Sequence, residues 1–203
     1  MIDLLEEHSI RVLEMEGGEG FDGLSGWVEA SPFIILNSVS PSDRKRLTAL
    51  HEFAHLTLKF DDSIPEADRE RLCHTFGGAF LVPRDVLIKE LGPRRSEVSF
   101  FELDSLKRQY GISMQAIMYR AKQHGIISEY VHESFSREIS AKAWRKKEPN
   151  SYPIDEHLLR FEQLLHRAIS EELISVSKAA YLANKSIEAI RRQRLIKDAS
   201  THS

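Results

Sequence analysis

The sequence predicts an α+β fold, in which a small β-sheet packs on a long helix and an all-helical region follows. Two short apolar segments near the start, residues 24–30 and 33–37, lie between breaks rich in Gly and Pro, which is typical of strands. From residue 43 onward, apolar residues instead recur every three or four positions, which is the period of a helix. Strands are therefore expected only in the front part of the 203-residue chain.

The strands of the front part can be placed in order. Residues 2–15 are predicted to form a short helix that runs into a strand. Residues 24–30 form the next strand. The segment 33–37 is opened by Pro32, and because proline cannot donate a ladder hydrogen bond, we interpret this segment as an edge strand.

Two helices follow the strands. Residues 40–43, Ser-Pro-Ser-Asp, are a helix-start signal for a helix over residues 43–59. A second helix is predicted over residues 66–80. Later breaks near residues 92–100 and 145–155 predict three regions: a core of residues 1–98, a helix-turn-helix-like module of residues 99–150 packed on that core, and a basic helical extension of residues 151–203.

Composition and charge restrict the compartment. The single cysteine excludes an intrachain disulfide, and neither a signal peptide nor an apolar run long enough to span a membrane is present. We therefore expect a soluble cytoplasmic protein with no membrane partner.

The net charge is −7 over residues 1–100 and +4 over residues 141–203. An acidic front half and a weakly basic tail disfavour direct DNA binding.

The main candidate for a catalytic motif is His-Glu-Phe-Ala-His at residues 51–55, which has the HExxH pattern of a zincin-type helix. Residues four apart lie one above the other on a helix, so His51 and His55 can ligate one ion. Glu52 is offset by about 100°, which leaves it free to act as general base and then acid on a metal-bound water molecule. The pattern predicts one catalytic Zn²⁺ per chain.

Such a site requires a third protein ligand. The next helix offers Glu66, Glu70 and His74 at intervals of four on one face. A short connection after His55 would let this helix fold back toward the histidines. Spacing alone leaves the three residues as alternatives.

Two segments together resemble the ImmA/IrrE family of metallo-endopeptidases: RKRLTALHEFAHLTLKF at residues 44–60 and ERLCHTFGGAFLVP at residues 70–83. SPFIILN before them and ISMQAIMYRAKQHGIIS after them are similar to the strand and the helical module of that family. The resemblance covers roughly residues 1–150. It implies that Glu70 is the third ligand, because the acidic ligand of the family lies just upstream of a segment like FGGAFLVP.

The resemblance also bears on neighbouring residues and on function. His74 is a candidate to hold a metal ligand in place. Gly77 and Gly78 replace the usual alanines, and we expect them to loosen this helix. The implied function is zinc-dependent cleavage of a partner protein, a helix-turn-helix repressor or antitoxin encoded nearby, to control gene expression. The alternative is a non-catalytic binding module, with a structural metal site, that docks on a repressor, antitoxin or DNA through its helical half.

Several other residues are candidates for accessory roles. Tyr119 and His124 could polarise a scissile carbonyl, and Cys73 is expected to be a buried structural thiol. Since zinc peptidases hold substrates as extended strands, the predicted edge strand is the substrate-binding candidate, at Ile34, Ile35 and Leu36.

Two segments have the pattern of a helix-turn-helix, with two helical stretches separated by a short turn. Residues 103–128 lie in a stretch without net charge, and residues 174–197 end in a basic run. We expect the second segment to dock on a repressor rather than on DNA.

Overall fold

The computed structural model describes residues 1–18, 20–156 and 159–200. Over these residues the chain has a three-stranded sheet and is otherwise mostly helical, so the predicted α+β class is confirmed. It divides into two compact units, Met1–Glu156 and residues 157–203. No helix in the described ranges is long and apolar enough to cross a membrane.

The sheet lies in the first unit. After helix α1 (Ile2–Glu7) come β1 (Arg11–Met15), β2 (Gly23–Val28) and β3 (Ser31–Asn37). The order is β1-β3-β2, with β3 parallel to β1 and antiparallel to β2. β3 is therefore the central strand, and the free edges belong to β1 and β2.

The interpretation of residues 33–37 as an edge strand is wrong. Pro32 is tolerated because the β1 ladder begins only at Phe33, so the missing N–H lies outside that ladder. Ile34 and Leu36 are fully buried, and Ile35 pairs with both neighbouring strands. These three residues therefore offer no free edge to a substrate.

Two helices of equal length follow the sheet, α2 (Ser42–Thr57) and α3 (Glu66–Leu81). α2 packs on β2 and β3 and also against α3. A Cβ atom on Gly77 would lie 3.3 Å from both the Leu47 carbonyl oxygen and the Leu50 Cβ, so glycine permits this close approach. α3 runs through Gly77 and Gly78 without a break.

The rest of the first unit is mostly helical and shares one core with α2 and α3. Its helices are α4 (Arg84–Leu91), α5 (Phe100–Tyr110), α6 (Met114–Gln123) and α7 (Glu129–Ala141). Serine side chains cap α5, α6 and α7 at their N-termini, and the left-handed Gly111 ends α5. The core joins Leu50 of α2 to residues of the later helices, among them Leu103, Ile117, Met118 and Ile139.

A buried ionic cluster ties the segment after α7 to this core. The Lys107 ammonium lies 3.2 Å from Asp43 and 3.1 Å from Glu148, and all three side chains are at least 95% buried. Glu148 also accepts the backbone N–H groups of Met114 and Gln115 at the start of α6. This arrangement fixes the segment around Glu148 beside the N-terminal end of α2.

The second unit consists of α8 (Leu159–Ser170), α9 (Val176–Leu182) and α10 (Ile187–Ser200). It has its own small core, formed by Leu165, Ile169, Ala179, Ala180 and Ile190.

Candidate metal centre

α2 and α3 bring three side chains to one point. The His51 Nε2 atom lies 3.1 Å from Glu70 Oε2, and the His55 Nε2 atom lies 3.1 Å from Glu70 Oε1. The two histidine Nε2 atoms are themselves 3.1 Å apart. In the described part of the chain, these three residues form the group able to hold a metal ion.

The local structure explains the convergence. His51 and His55 are one turn apart on α2, and Glu70 lies on the second turn of α3, which packs against α2. Glu66, one turn earlier on α3, is exposed and does not join the group. Of the three alternatives for a third ligand, the structure thus brings Glu70 to the histidines.

The spacing of these atoms fits a metal ion. Two ligand atoms of a tetrahedral zinc ion, each at roughly 2.0–2.1 Å from it, lie about 3.4 Å apart. The three separations of 3.1 Å are close to that value. Two imidazoles and one carboxylate are also the ligand set of many catalytic zinc sites, which keep a fourth position for water.

The environment favours the metal-binding form of His51. Burial lowers the pKa of His51 to about 4, and the neighbouring His74 and His55 rings act in the same direction. A neutral imidazole is the form that ligates a metal, so protons compete weakly at this position. The His51 Nδ1 atom is buried and has no hydrogen-bond partner within the described ranges.

Two further residues of α3 contact the histidines. The His74 ring lies against His51, with 4.3 Å between ring centroids. The Cys73 Sγ atom lies 3.6 Å from His55 Nδ1. Cys73 is fully buried, which confirms the expected buried thiol, and burial raises its pKa to about 11. The thiol therefore stays protonated beside His55 at neutral pH.

Glu52 lies beside the metal-binding group without joining it. It is 8% exposed, and burial raises the pKa of its carboxyl. The Ser25 hydroxyl donates a 2.7 Å hydrogen bond to Glu52 Oε2, which lowers that pKa and partly offsets the effect of burial. Ser25 was not a candidate in the sequence, since nothing local links a serine of β2 to a helix 27 residues away.

A cleft of about 760 Å³ opens at this centre. His51, Glu52 and Glu70 line it on one side, and Tyr119 lines it from α6. Its wall also includes the segment of residues 145–148, fixed by the buried ionic cluster.

His124, the other candidate for polarising the carbonyl, lies away from the cleft lining. The His124 Nε2 atom lies 3.2 Å from Arg120 Nη2, and His124 is not among the residues that line the cleft. Arg120, missed in the sequence, does line it and is 3% exposed. Its guanidinium donates to the Val82 and Thr75 carbonyl oxygens, so its position is fixed.

Comparison with known proteins adds one finding. The family model described as Peptidase_M78, IrrE N-terminal-like domain, matches residues 5–122. The matched range contains the whole sheet and all three residues of the metal-binding group. A search of curated proteins gave no match.

Proposed function

Because the chain belongs to the Peptidase_M78 family of IrrE N-terminal-like metallopeptidases, we propose that it is a zinc-dependent endopeptidase that cleaves a partner transcriptional repressor or antitoxin. The observation that carries the proposal is the convergence of His51, His55 and Glu70, with the Glu52 carboxylate beside them. These three residues would hold one Zn²⁺ per chain.

Each residue has a separate task in peptide-bond hydrolysis. When bound, zinc would lower the pKa of a coordinated water molecule to about 7. Glu52 would take a proton from the attacking water and later deliver it to the leaving amine nitrogen. Ser25 would hold the Glu52 carboxylate in position, and Tyr119 faces the cleft where a scissile carbonyl would lie.

An extended substrate would pair with the free edge of β2 rather than with the central strand β3. The backbone N–H of Asn37 donates to the Asp22 carbonyl oxygen at 2.9 Å. Asp22 and Asn37 therefore form a hydrogen-bonded pair of the antiparallel ladder. Such pairs alternate along the ladder, so the backbone groups of Gly23, Ser25 and Trp27 point away from β3.

These outward groups can accept a peptide as a further strand. Ser25 connects this edge to the catalytic region, since its backbone faces the edge while its hydroxyl holds Glu52. A peptide paired with β2 would therefore run beside the proposed general base.

The test is cleavage of any helix-turn-helix protein that is encoded next to this chain. The zinc-loaded protein should cut it into discrete fragments, detected by intact-mass spectrometry. Glu52→Gln should retain zinc and lose cleavage by roughly 10² to 10⁴ in rate. Tight binding of that protein without any cleavage by the zinc-loaded wild type would instead support a non-catalytic binding module.

A further inference from the structure

The second unit has the connectivity of a helix-turn-helix. α9 (Val176–Leu182) and α10 (Ile187–Ser200) are joined by four residues. In this motif, a short helix and a tight turn present a second helix to the major groove. α8 supplies Leu165 and Ile169 to the core beneath both helices.

The turn between α9 and α10 is tightly determined. Asn184 has a φ of 50°, in the left-handed region that asparagine tolerates better than most residues. The Lys185 amide donates to the Ala180 carbonyl oxygen at 3.0 Å, which closes α9 with a Schellman-type bond. The Ser186 hydroxyl then accepts the Ala189 amide at 3.1 Å and caps α10. The direction of α10 is therefore fixed within a few residues of the end of α9.

Small side chains allow α9 to lie close to the core. Ala179 and Ala180 are buried, at 0% and 4% exposure, and pack in one cluster with Ile190 of α10. Ile190 is 1% exposed and fixes which face of α10 points inward.

The outward face of α10 is charged. Glu188, Arg191 and Arg192 lie at positions i, i+3 and i+4, so they share one face, and all three are exposed. No ion-pair partner of either arginine is found in the described part of the chain. On α9, Lys178 and Tyr181 are exposed, with the Lys178 ammonium 5.2 Å from the Tyr181 ring centroid.

We propose that this unit binds double-stranded DNA, with α10 in the major groove. Arginine and glutamate side chains on the exposed face have the donors and acceptors that read guanine and cytosine edges. Lys178 would contact the phosphate backbone.

The charge distribution also separates this unit from the rest of the chain. Residues 157–203 contain eight Lys and Arg against five Asp and Glu, whereas residues 1–156 contain 20 against 26. From the sequence alone, this modest excess of basic residues led us to expect that the segment docks on a repressor rather than on DNA. The inward Ile190 and the outward arginine pair show that two of these eight cations share one exposed face of α10.

The test uses the full-length protein and a fluorescein-labelled pool of random-sequence duplexes of about 30 base pairs. Anisotropy at roughly 50 mM salt should show binding that weakens steeply as salt rises. The double variant Arg191→Ala/Arg192→Ala should raise the Kd at least tenfold. The control Arg160→Ala/Arg167→Ala removes the same charge from exposed positions on α8 and should change the Kd less than threefold.

Other outcomes overturn the proposal. Absence of binding by the wild type, or equal losses in both double variants, would exclude a reading role for α10. Capture of the neighbouring-gene protein that depends on Arg191 and Arg192, without DNA binding, would make this face a protein-docking surface. Zinc content and cleavage should be unchanged in the Arg191→Ala/Arg192→Ala variant.

Discussion

The Ser25 hydroxyl of β2 donates a 2.7 Å hydrogen bond to the Glu52 carboxylate of α2. This bond joins the free edge of the sheet to the proposed general base. It also opposes the effect of burial, which raises the pKa of Glu52.

Removing this hydrogen bond should change the pH dependence of cleavage. Glu52 acts as a base only when it is deprotonated, so the rate should fall as the pH drops through its pKa. Ser25→Ala removes a contact that stabilises the charged form, which raises that pKa further. We expect the acidic limb of the kcat/KM profile to move to higher pH, with nearly full activity retained at alkaline pH. Zinc content measured at each pH is the control, and an unmoved limb at constant zinc content would contradict the assignment.

The third ligand can be tested by comparing two glutamates of α3. Glu70 lies 3.1 Å from both histidines, while Glu66 is exposed and outside the group. Glu70→Gln should lower zinc affinity by at least tenfold, since it removes a charged ligand. Glu66→Gln should leave affinity within about twofold. Competition with a chromophoric chelator measures both, and a larger loss at Glu66 would refute the Glu70 assignment.

The free edge of β2 predicts a separation between folding and cleavage. The Trp27 amide points away from β3, whereas the Leu24 amide lies within the ladder. Trp27→Pro should therefore preserve cooperative melting and zinc binding but impair cleavage. Leu24→Pro should unfold the sheet. Trp27→Ala keeps the amide and controls for the lost indole, so equal activity of Trp27→Ala and Trp27→Pro would argue against substrate pairing at this edge.

The buried ionic cluster predicts a large stability effect at one lysine. Lys107→Met leaves the Asp43 and Glu148 carboxylates buried without their cation, which typically costs 3–5 kcal/mol. For a unit of this size the melting temperature should fall by roughly 10 °C. Arg108→Met is the matched control, because Arg108 is exposed and its pair with Asp104 contributes at most about 1 kcal/mol. A small loss at Lys107, comparable to the control, would show that the cluster is not a major source of stability.

Local and non-local features differed in how well the sequence predicted them. α2 and α3 were predicted closely because helical period and proline breaks are local properties, and HExxH spacing placed His51 and His55 on one face. The position of β3 in the sheet was predicted wrongly, since residues 33–37 were interpreted as an edge strand. Pairing joins distant segments, so Pro32 alone could not show that β3 has neighbours on both sides.

The same distinction applies to the site. The assignment of Glu70 came from a resemblance, because spacing left Glu66 and His74 equally open. Tertiary packing alone brings Ser25 of β2 to Glu52 and Arg120 of α6 to the cleft, and no short sequence pattern marks either residue.

Gly77 has no side chain that could bind a metal, yet it helps to set the distance between the two helices that carry the ligands. A methyl group there would meet the Leu47 carbonyl oxygen at 3.3 Å, and a backbone atom cannot rotate away. The strain would be relieved by moving α3 outward, and Glu70 lies two turns earlier on that helix. A mutational scan scored only by metal retention would therefore identify this position together with the ligands, although it never touches the ion.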